Sequence, residues 1–174
     1  MTDLLAALLR QRVLKLGWQV NLREPGGFTA KDPALGRGGR GEVDLAIRSR
    51  SAHVAVGEAI LVRSGFDCSK LKEHFQRLFG YAPAGVPIML FLIWSYGSDP
   101  ASVWKRYCKE VAETEAPVAH EFRKWILPST GPNSDVWYAM SEHAHPNSVS
   151  CRIAHVLVDL RQESRRCIGA SWRT

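Results

Sequence analysis

Apolar and polar positions follow two different periods along this chain. Apolar residues that recur every three to four positions predict helices, whereas apolar residues that alternate with polar ones or run continuously predict strands. The helical period covers residues 2–16, 69–80 and 100–111. Strand patterns cover residues 18–22, 42–47, 53–62 and 87–94, and weaker ones cover 125–127, 136–140 and 152–160. This order of elements predicts an α/β domain built around a mixed sheet.

Composition limits the class of protein further. The chain has 174 residues, 45% hydrophobic and 23% charged, which is typical of one globular domain. Its longest apolar run is far shorter than the ~20 residues that a membrane span needs, and the N-terminal segment lacks the basic start of a secretory signal. The four cysteines are scattered without a CxxC pair, which indicates reduced thiols. We therefore expect a cytoplasmic protein that makes no use of a membrane.

Two carboxylates stand on neighbouring predicted strands. Side chains alternate between the faces of a strand, so Glu42 and Asp44 share one face, and Glu58 follows on the next strand within an apolar run. A carboxylate there is costly unless it has a partner. If the strands pair, Asp44 and Glu58 lie side by side, and a divalent cation resolves their repulsion. The alternative is structural: Asp44 ends a hairpin in solvent, and Glu58 pairs with an arginine, Arg48 or Arg63.

These two strands carry a family resemblance. The segment GEVDL at 41–45, followed by VAVGEAI at 54–60, resembles the paired motifs of the PD-(D/E)xK nuclease superfamily. The likeness extends to about residue 110, where the predicted elements follow that family's α-β-β-β-α-β core. The resemblance implies a restriction-endonuclease-like fold that cleaves DNA or RNA with Mg²⁺ or Mn²⁺ at Asp44, Glu58 and Glu42, and a functional glutamine on the next helix, Gln76. We expect a single domain over 1–174, with its core at about 1–115 and a strand and helix extension at about 116–174.

The resemblance fails at one position, because Ile60 stands where the family has a lysine. Losing one such preorganised donor costs roughly 3–4 kcal/mol of transition-state stabilisation. Arg63 lies on the opposite face of the strand and by that pattern does not replace the lysine. Lys72 shares one edge of the next helix with Gln76, so we hypothesise that Lys72 reaches the site. The alternatives are that Lys72 is a solvated surface residue, and that the fold has lost catalysis and acts as a nucleic-acid-binding or protein-assembly module.

Basic residues indicate the class of partner. Arg37 and Arg40 lie in the glycine-rich segment before the first acidic strand, and Arg48 directly follows that strand. The net charge of the chain is +6. Arginines pair with phosphates, so we hypothesise that they contact a DNA or RNA backbone; a solvated loop is the alternative. By analogy with the superfamily, a sensor, helicase or ATPase is the expected partner protein. Because the net charge is modest, an adaptor that contacts only protein stays open as a third class.

Two features of the C-terminal part leave alternatives open. Asp159 ends a predicted strand, and it either faces the site or pairs with Arg161. His143, His145 and Cys151 offer metal donors, but their spacing matches no standard structural zinc site, so we expect an ordinary loop around them.

Overall fold

A computed structural model describes residues 2–28, 40–50, 52–63, 67–80, 86–97, 99–113, 122–133, 135–144 and 150–161, with the backbone alone at 24–28, 40–42 and 127–133. The helices are α1 (Thr2–Val13), α2 (Cys68–Gly80) and α3 (Pro100–Glu113), and α1 continues into a short 3-10 turn at Leu14–Leu16. The strands are β1 (Trp18–Phe28), β2 (Arg40–Ser49), β3 (Ala52–Val62), β4 (Ile88–Ser95), β5 (Phe122–Asn133), β6 (Val136–His143) and β7 (Cys151–Asp159).

The seven strands form one mixed sheet in the order β1-β2-β3-β4-β7-β6-β5. Strands β1, β2 and β3 pair as an antiparallel meander. The helix α2 then crosses over, so that β4 lies parallel to β3, and β7 lies parallel to β4. The remaining strands β6 and β5 complete the sheet by antiparallel pairing. The predicted α/β class and mixed sheet are confirmed, and the C-terminal strands extend the same sheet.

Helices cover both faces of this sheet because strand side chains alternate between the faces. On one face, α1 packs with Val20 and Leu45. On the other face, α2 and α3 bury their apolar stripes, including Phe75 and Tyr107, against Ile93 and its neighbours. None of the helices in the described segments is both long and apolar enough to cross a membrane.

Helix ends follow local chemistry that the sequence shows only in part. Gly17 ends the first helical segment in the left-handed conformation, with φ at +69°. Asp67 caps α2, because its carboxylate accepts hydrogen bonds from the backbone N–H groups of Ser69 and Lys70 at 3.0 and 3.2 Å. Asp99 caps α3 in the same way through Ser102, at 3.0 Å.

The predicted loop over residues 23–41 is too long at both ends. Pro25 pairs with Glu42 and Phe28 pairs with Arg40, so both strands continue into the glycine-rich segment. Pro25 is tolerated because β1 is an edge strand, where a missing N–H breaks no ladder. The positive φ of Arg23, 51°, marks an irregular point in β1 just before this extension.

Candidate active site

Asp44 lies where β2 and β3 separate. The ladder between the two strands ends at the pair Leu45 and Gly57. A methyl group on Gly57 would lie 3.3 Å from the Cβ atoms of both Leu45 and Leu90, a tighter contact than most side chains make, so the close packing here favours glycine. Beyond this pair, Oδ2 of Asp44 accepts a hydrogen bond from the backbone N–H of Ala59 at 2.9 Å. At this point the Asp44 carboxylate, and not a backbone carbonyl of β2, accepts the hydrogen bond from β3.

The side chain of Asp44 lines an open cavity of about 630 Å³, the Asp44 cavity. The other residues of its wall come from the start of α1 and from the carboxyl ends of β3 and β4: Thr2, Ala59, Ile60, Leu61, Arg63, Trp94 and Tyr96. A smaller cavity of about 190 Å³ shares Thr2 and Asp44 with it and adds Asp3, Leu22 and Arg23. Crevices at the carboxyl ends of parallel strands are common ligand sites in α/β proteins.

Glu58 does not line this cavity and is turned toward α2. Its Oε1 lies 2.6 Å from Nδ1 of His74, and the residue is 2% exposed. Its Oε2 is buried and has no hydrogen-bond partner in the described part of the chain. Burial raises the pKa of Glu58, the hydrogen bond from His74 lowers it, and the negative charge of Asp44 raises it. The charge of Asp44 therefore influences Glu58, but Asp44 lines the cavity whereas Glu58 is buried against α2.

This geometry corrects the expectation that Asp44 and Glu58 share one face. Alternation holds along β3, but β2 leaves the ladder at Asp44, so its side chain turns to the side of Ala59 instead. The structural alternative named an arginine as the partner of Glu58; the residue that hydrogen-bonds its Oε1 is His74 instead.

The positive charge at the cavity comes from Arg63. The pattern of alternation correctly places Arg63 on the face of Ala59 and Leu61, but the Asp44 cavity opens on that same face. Arg63, which alternation places on the face opposite to the family's lysine, therefore shares a cavity with Asp44. Ile60, at the position of the family's lysine, lines the cavity as an apolar residue.

The two predicted residues on α2 lie elsewhere. Nζ of Lys72 is 3.7 Å from Oε2 of Glu110 on α3, and half of the lysine side chain is exposed. Gln76 is exposed on the same helix. Neither residue lines the Asp44 cavity, and Lys72 forms a surface ion pair with Glu110.

The predicted basic and acidic residues of the glycine-rich segment are only partly described. Arg37 lies outside the described residues, and Arg40 and Glu42 are described by their backbone in β2. Arg48 lies near the turn between β2 and β3, where it pairs with Gln19 and His53 in the two ladders. It is thus displaced along β2 from Asp44, toward the hairpin end.

The acids predicted to hold a divalent cation are not gathered at the Asp44 cavity, because Glu58 is turned away from it toward His74. The described segments contain no group of three His, Cys, Asp or Glu side chains able to hold a metal. Mg²⁺ takes one or two carboxylates and completes its shell with water and phosphate oxygens. Asp44 and Asp3 both line the smaller cavity and are the acids available there for such an ion. Sequence reasoning missed Asp3, because no local pattern shows that the start of α1 lies beside β2.

A second group of polar side chains is closed off in the core. The hydroxyl of Tyr107 hydrogen-bonds Nδ1 of His155, whose Nε2 lies 2.6 Å from Oγ of Ser141. The same hydroxyl of Ser141 lies 2.8 Å from Nε2 of His143. Burial lowers the pKa of His155 and raises the pKa of Tyr107, so both stay neutral. This network is part of the packing and has no opening to the Asp44 cavity.

The remaining open alternatives at the C-terminal part now have answers. Asp159 pairs with Arg161 at 2.9 Å and is directed to that arginine. The expected loop is wrong for His143 and Cys151, which lie at the end of β6 and the start of β7, and His145 lies outside the described residues. Burial raises the pKa of the Cys151 thiol to about 11, which keeps it protonated.

No protein-family model matches the chain, and no curated protein or solved structure matches it. Function is therefore inferred from the residues and their geometry.

Proposed function

We propose that this chain is a restriction-endonuclease-like domain that cleaves phosphodiester bonds of DNA or RNA with Mg²⁺ or Mn²⁺. The observation that carries the proposal is the open cavity whose wall includes both an acid, Asp44, and a base, Arg63. The order of α1, the β1–β3 meander, α2 and the parallel strand β4 supports it, since this is the core that the sequence resemblance implies.

Each residue of the cavity has a distinct part in this proposal. Asp44 would hold the cation, with Asp3 as the second acid, and the hydrogen bond from Ala59 keeps the Asp44 carboxylate in place. A bound divalent cation activates water and neutralises charge that builds on the phosphodiester. The guanidinium of Arg63 matches two phosphate oxygens at once and would hold the substrate phosphate against the cavity wall.

The acids favour cleavage over simple binding. A cavity that only bound phosphate would gain nothing from Asp44, whose negative charge repels phosphate unless a cation lies between them. Glu58 adds to this reasoning, because a buried carboxylate with a raised pKa and a partnerless oxygen costs stability and is characteristic of functional sites.

Specific observations favour a second candidate, a nuclease fold that binds nucleic acid or assembles with a protein without catalysis. Ile60 removes the family's lysine from the cavity, and Lys72 pairs with Glu110. In both candidates we propose a cytoplasmic domain that acts beside a sensor, helicase or ATPase, as the superfamily analogy implies.

Cleavage assays with defined variants test the proposal. Labelled DNA and RNA, single- and double-stranded, are incubated with the protein in Mg²⁺, in Mn²⁺ and in EDTA. We expect metal-dependent cleavage that falls about 10²-fold or more in Asp44→Asn, which keeps an oxygen acceptor for Ala59. Glu113→Gln, an exposed acid on α3, serves as the matched control and retains activity. Equal rates for Asp44→Asn and wild type would contradict the proposal, and binding without any cleavage would establish the second candidate.

A further inference from the structure

Arg63 and Tyr96 lie side by side at the open end of two parallel strands. In the register of β3 and β4, Leu61 opposes Trp94 and Val62 opposes Ser95. The N–H of Tyr96 donates to the carbonyl of Val62 at 2.8 Å, which continues the pairing one step past the strand ends. The next residues on the cavity side are therefore Arg63 and Tyr96, and both line the Asp44 cavity.

The exposure of Tyr96 distinguishes it from the aromatic residue before it. Trp94, on the same face, is 9% exposed and packs in the core, whereas Tyr96 is 45% exposed. A large aromatic ring held in solvent beside an arginine, within a cavity, is the composition of sites that bind single-stranded nucleic acid. There the cation contacts a phosphate and the ring stacks on a base.

We infer that Arg63 and Tyr96 bind one nucleotide of an unpaired strand, with its phosphate on the arginine and its base on the tyrosine ring. The inference rests on the proposed function in taking nucleic acid as the ligand, and it names the class of substrate. A double helix keeps its base faces stacked inside, so only an unpaired nucleotide offers a face to Tyr96. The preferred substrate is accordingly a single strand, an overhang or a flap, as DNA or as RNA.

Binding measured in the absence of divalent cations tests this inference separately from cleavage. The probes are fluorescent oligo(dT), oligo(U) and a blunt DNA hairpin duplex, and the readout is fluorescence anisotropy over a range of salt concentrations in EDTA. The variants are Tyr96→Ala, Tyr96→Phe and Arg63→Ala. The matched controls are Tyr138→Ala, a tyrosine on β6 of similar exposure at 47%, and Arg12→Ala, an exposed arginine on α1.

The expected results follow from the different roles of the two residues, base stacking for Tyr96 and phosphate binding for Arg63. Tyr96→Ala weakens single-strand binding about tenfold and leaves duplex binding unchanged, and Tyr96→Phe retains the wild-type affinity because the ring remains. Arg63→Ala weakens binding and lowers the slope of log K against log salt by about 0.7, the value for one phosphate contact on a single strand. Tyr138→Ala and Arg12→Ala match the wild type.

Three results would overturn the inference: no binding of either single strand by the wild type, equal effects of Tyr96→Ala and Tyr138→Ala, or equal loss of duplex and single-strand binding in Tyr96→Ala. Tyr96 and Arg63 lie past the ends of β4 and β3, so replacing them changes no strand residue. Tyr96→Phe in addition tests the site with the aromatic ring kept. Failure of cleavage leaves the binding results intact, and loss of the single-strand preference leaves the cleavage results intact, so the two proposals fail separately.

Discussion

Glu58 on β3 and His74 on α2 share a hydrogen bond of 2.6 Å between Oε1 and Nδ1. The carboxylate side chain is 3% exposed and the imidazole 25% exposed, so the bond joins the sheet to the edge of the helix at the boundary of the core. Protonated His74 donates this bond, and so does the neutral tautomer with its hydrogen on Nδ1. The other carboxylate oxygen is buried without a partner among the described residues.

This arrangement predicts that the Glu58 carboxylate costs stability at neutral pH. Burial raises the pKa of Glu58, so the folded state holds a proton that the unfolded state has lost as the pH rises above the ordinary value of 4.5. The contribution of Glu58 is therefore most favourable below pH 4.5 and is lost as the pH rises through the folded-state pKa. Glu58→Gln keeps a side chain able to bond His74 without the charge. We expect its free energy of unfolding at pH 7 to exceed that of wild type by about 1 kcal/mol.

Urea unfolding at pH 7 and at pH 4 measures this difference. The gain of Glu58→Gln should shrink at pH 4, and Glu113→Gln, an exposed acid of α3, should show no gain at either pH. A loss of stability in Glu58→Gln at pH 7 would show that the ionised Glu58 stabilises the fold.

The end of the β2–β3 ladder depends on Gly57. Replacement by alanine places a methyl group 3.3 Å from the Cβ atoms of Leu45 and Leu90 and from the Leu90 carbonyl oxygen, so these neighbours must move by a few tenths of an ångström. We expect Gly57→Ala to lower the free energy of unfolding by about 1–3 kcal/mol. Gly97→Ala is the matched control, because its added methyl group meets Ser95 and Val103 at 3.6 and 3.9 Å, ordinary contact distances. Equal midpoints of thermal unfolding for the two variants would contradict the tight packing at Gly57.

The buried network around His155 predicts destabilisation in mild acid. Burial, and then the charge of His143, lowers the pKa of His155 well below 6.5, so only the unfolded state takes up this proton as the pH falls. Its contribution to stability is complete above pH 6.5 and is lost below it, by up to about 1.4 kcal/mol for each pH unit. The double variant Tyr107→Phe/His155→Phe removes the titrating group and leaves Ser141 bonded to His143.

Chemical denaturation of both proteins between pH 5 and 8 measures this effect. Below pH 6.5 the free energy of unfolding should fall more steeply for the wild type than for the double variant. The difference in slope should correspond to about one additional proton taken up on unfolding. Parallel pH profiles would show that His155 is protonated in the folded core.

Replacing Lys72 and replacing Arg63 should have different effects on cleavage. Lys72 belongs to an exposed pair with Glu110, so Lys72→Ala should leave cleavage unchanged and lower the free energy of unfolding by less than about 1 kcal/mol. Arg63 lines the Asp44 cavity, so Arg63→Ala should lower the cleavage rate by about 10²-fold. Initial cleavage rates at the same Mg²⁺ concentration compare the two variants. A larger loss of rate in Lys72→Ala than in Arg63→Ala would show that Lys72 acts at the site.

The order of helices and strands was predictable because it depends on local periods. The apolar alternation in β2, the continuous apolar run of β3 and the helical stripe through Phe75 each lie within one segment. The edge strand β1 was partly missed because its extension depends on pairing Pro25 with Glu42, which is not visible in a run of Gly, Pro and charged residues.

The orientation of the two predicted acids was not predictable from their motifs. Asp44 lines the cavity and Glu58 does not, because β2 parts from β3 just beyond the close-packed pair of Leu45 and Gly57. The rotation of α2, set by burial of Phe75, brings His74 to Glu58 and turns Lys72 outward.

The buried network was detectable but overlooked. Ser141 and His143 alternate with outward-facing residues on β6, and so share a face with Ala139, which is buried. Polar side chains at consecutive inward positions of a strand must find partners inside the core. That signal, combined with His155 on the neighbouring strand β7, would have indicated a hydrogen-bonded cluster and not a loop.

In the proposed function, Asp44 is the acid that binds a divalent cation in the open cavity. The most direct measurement is Mn²⁺ binding, followed by the loss of the free-ion signal in electron paramagnetic resonance, for wild type, Asp44→Asn and Glu113→Gln. We predict that Asp44→Asn weakens Mn²⁺ affinity at least about tenfold, whereas Glu113→Gln binds as the wild type does. Mn²⁺ binding to Asp44→Asn with wild-type affinity, or no binding to the wild type, would contradict the account.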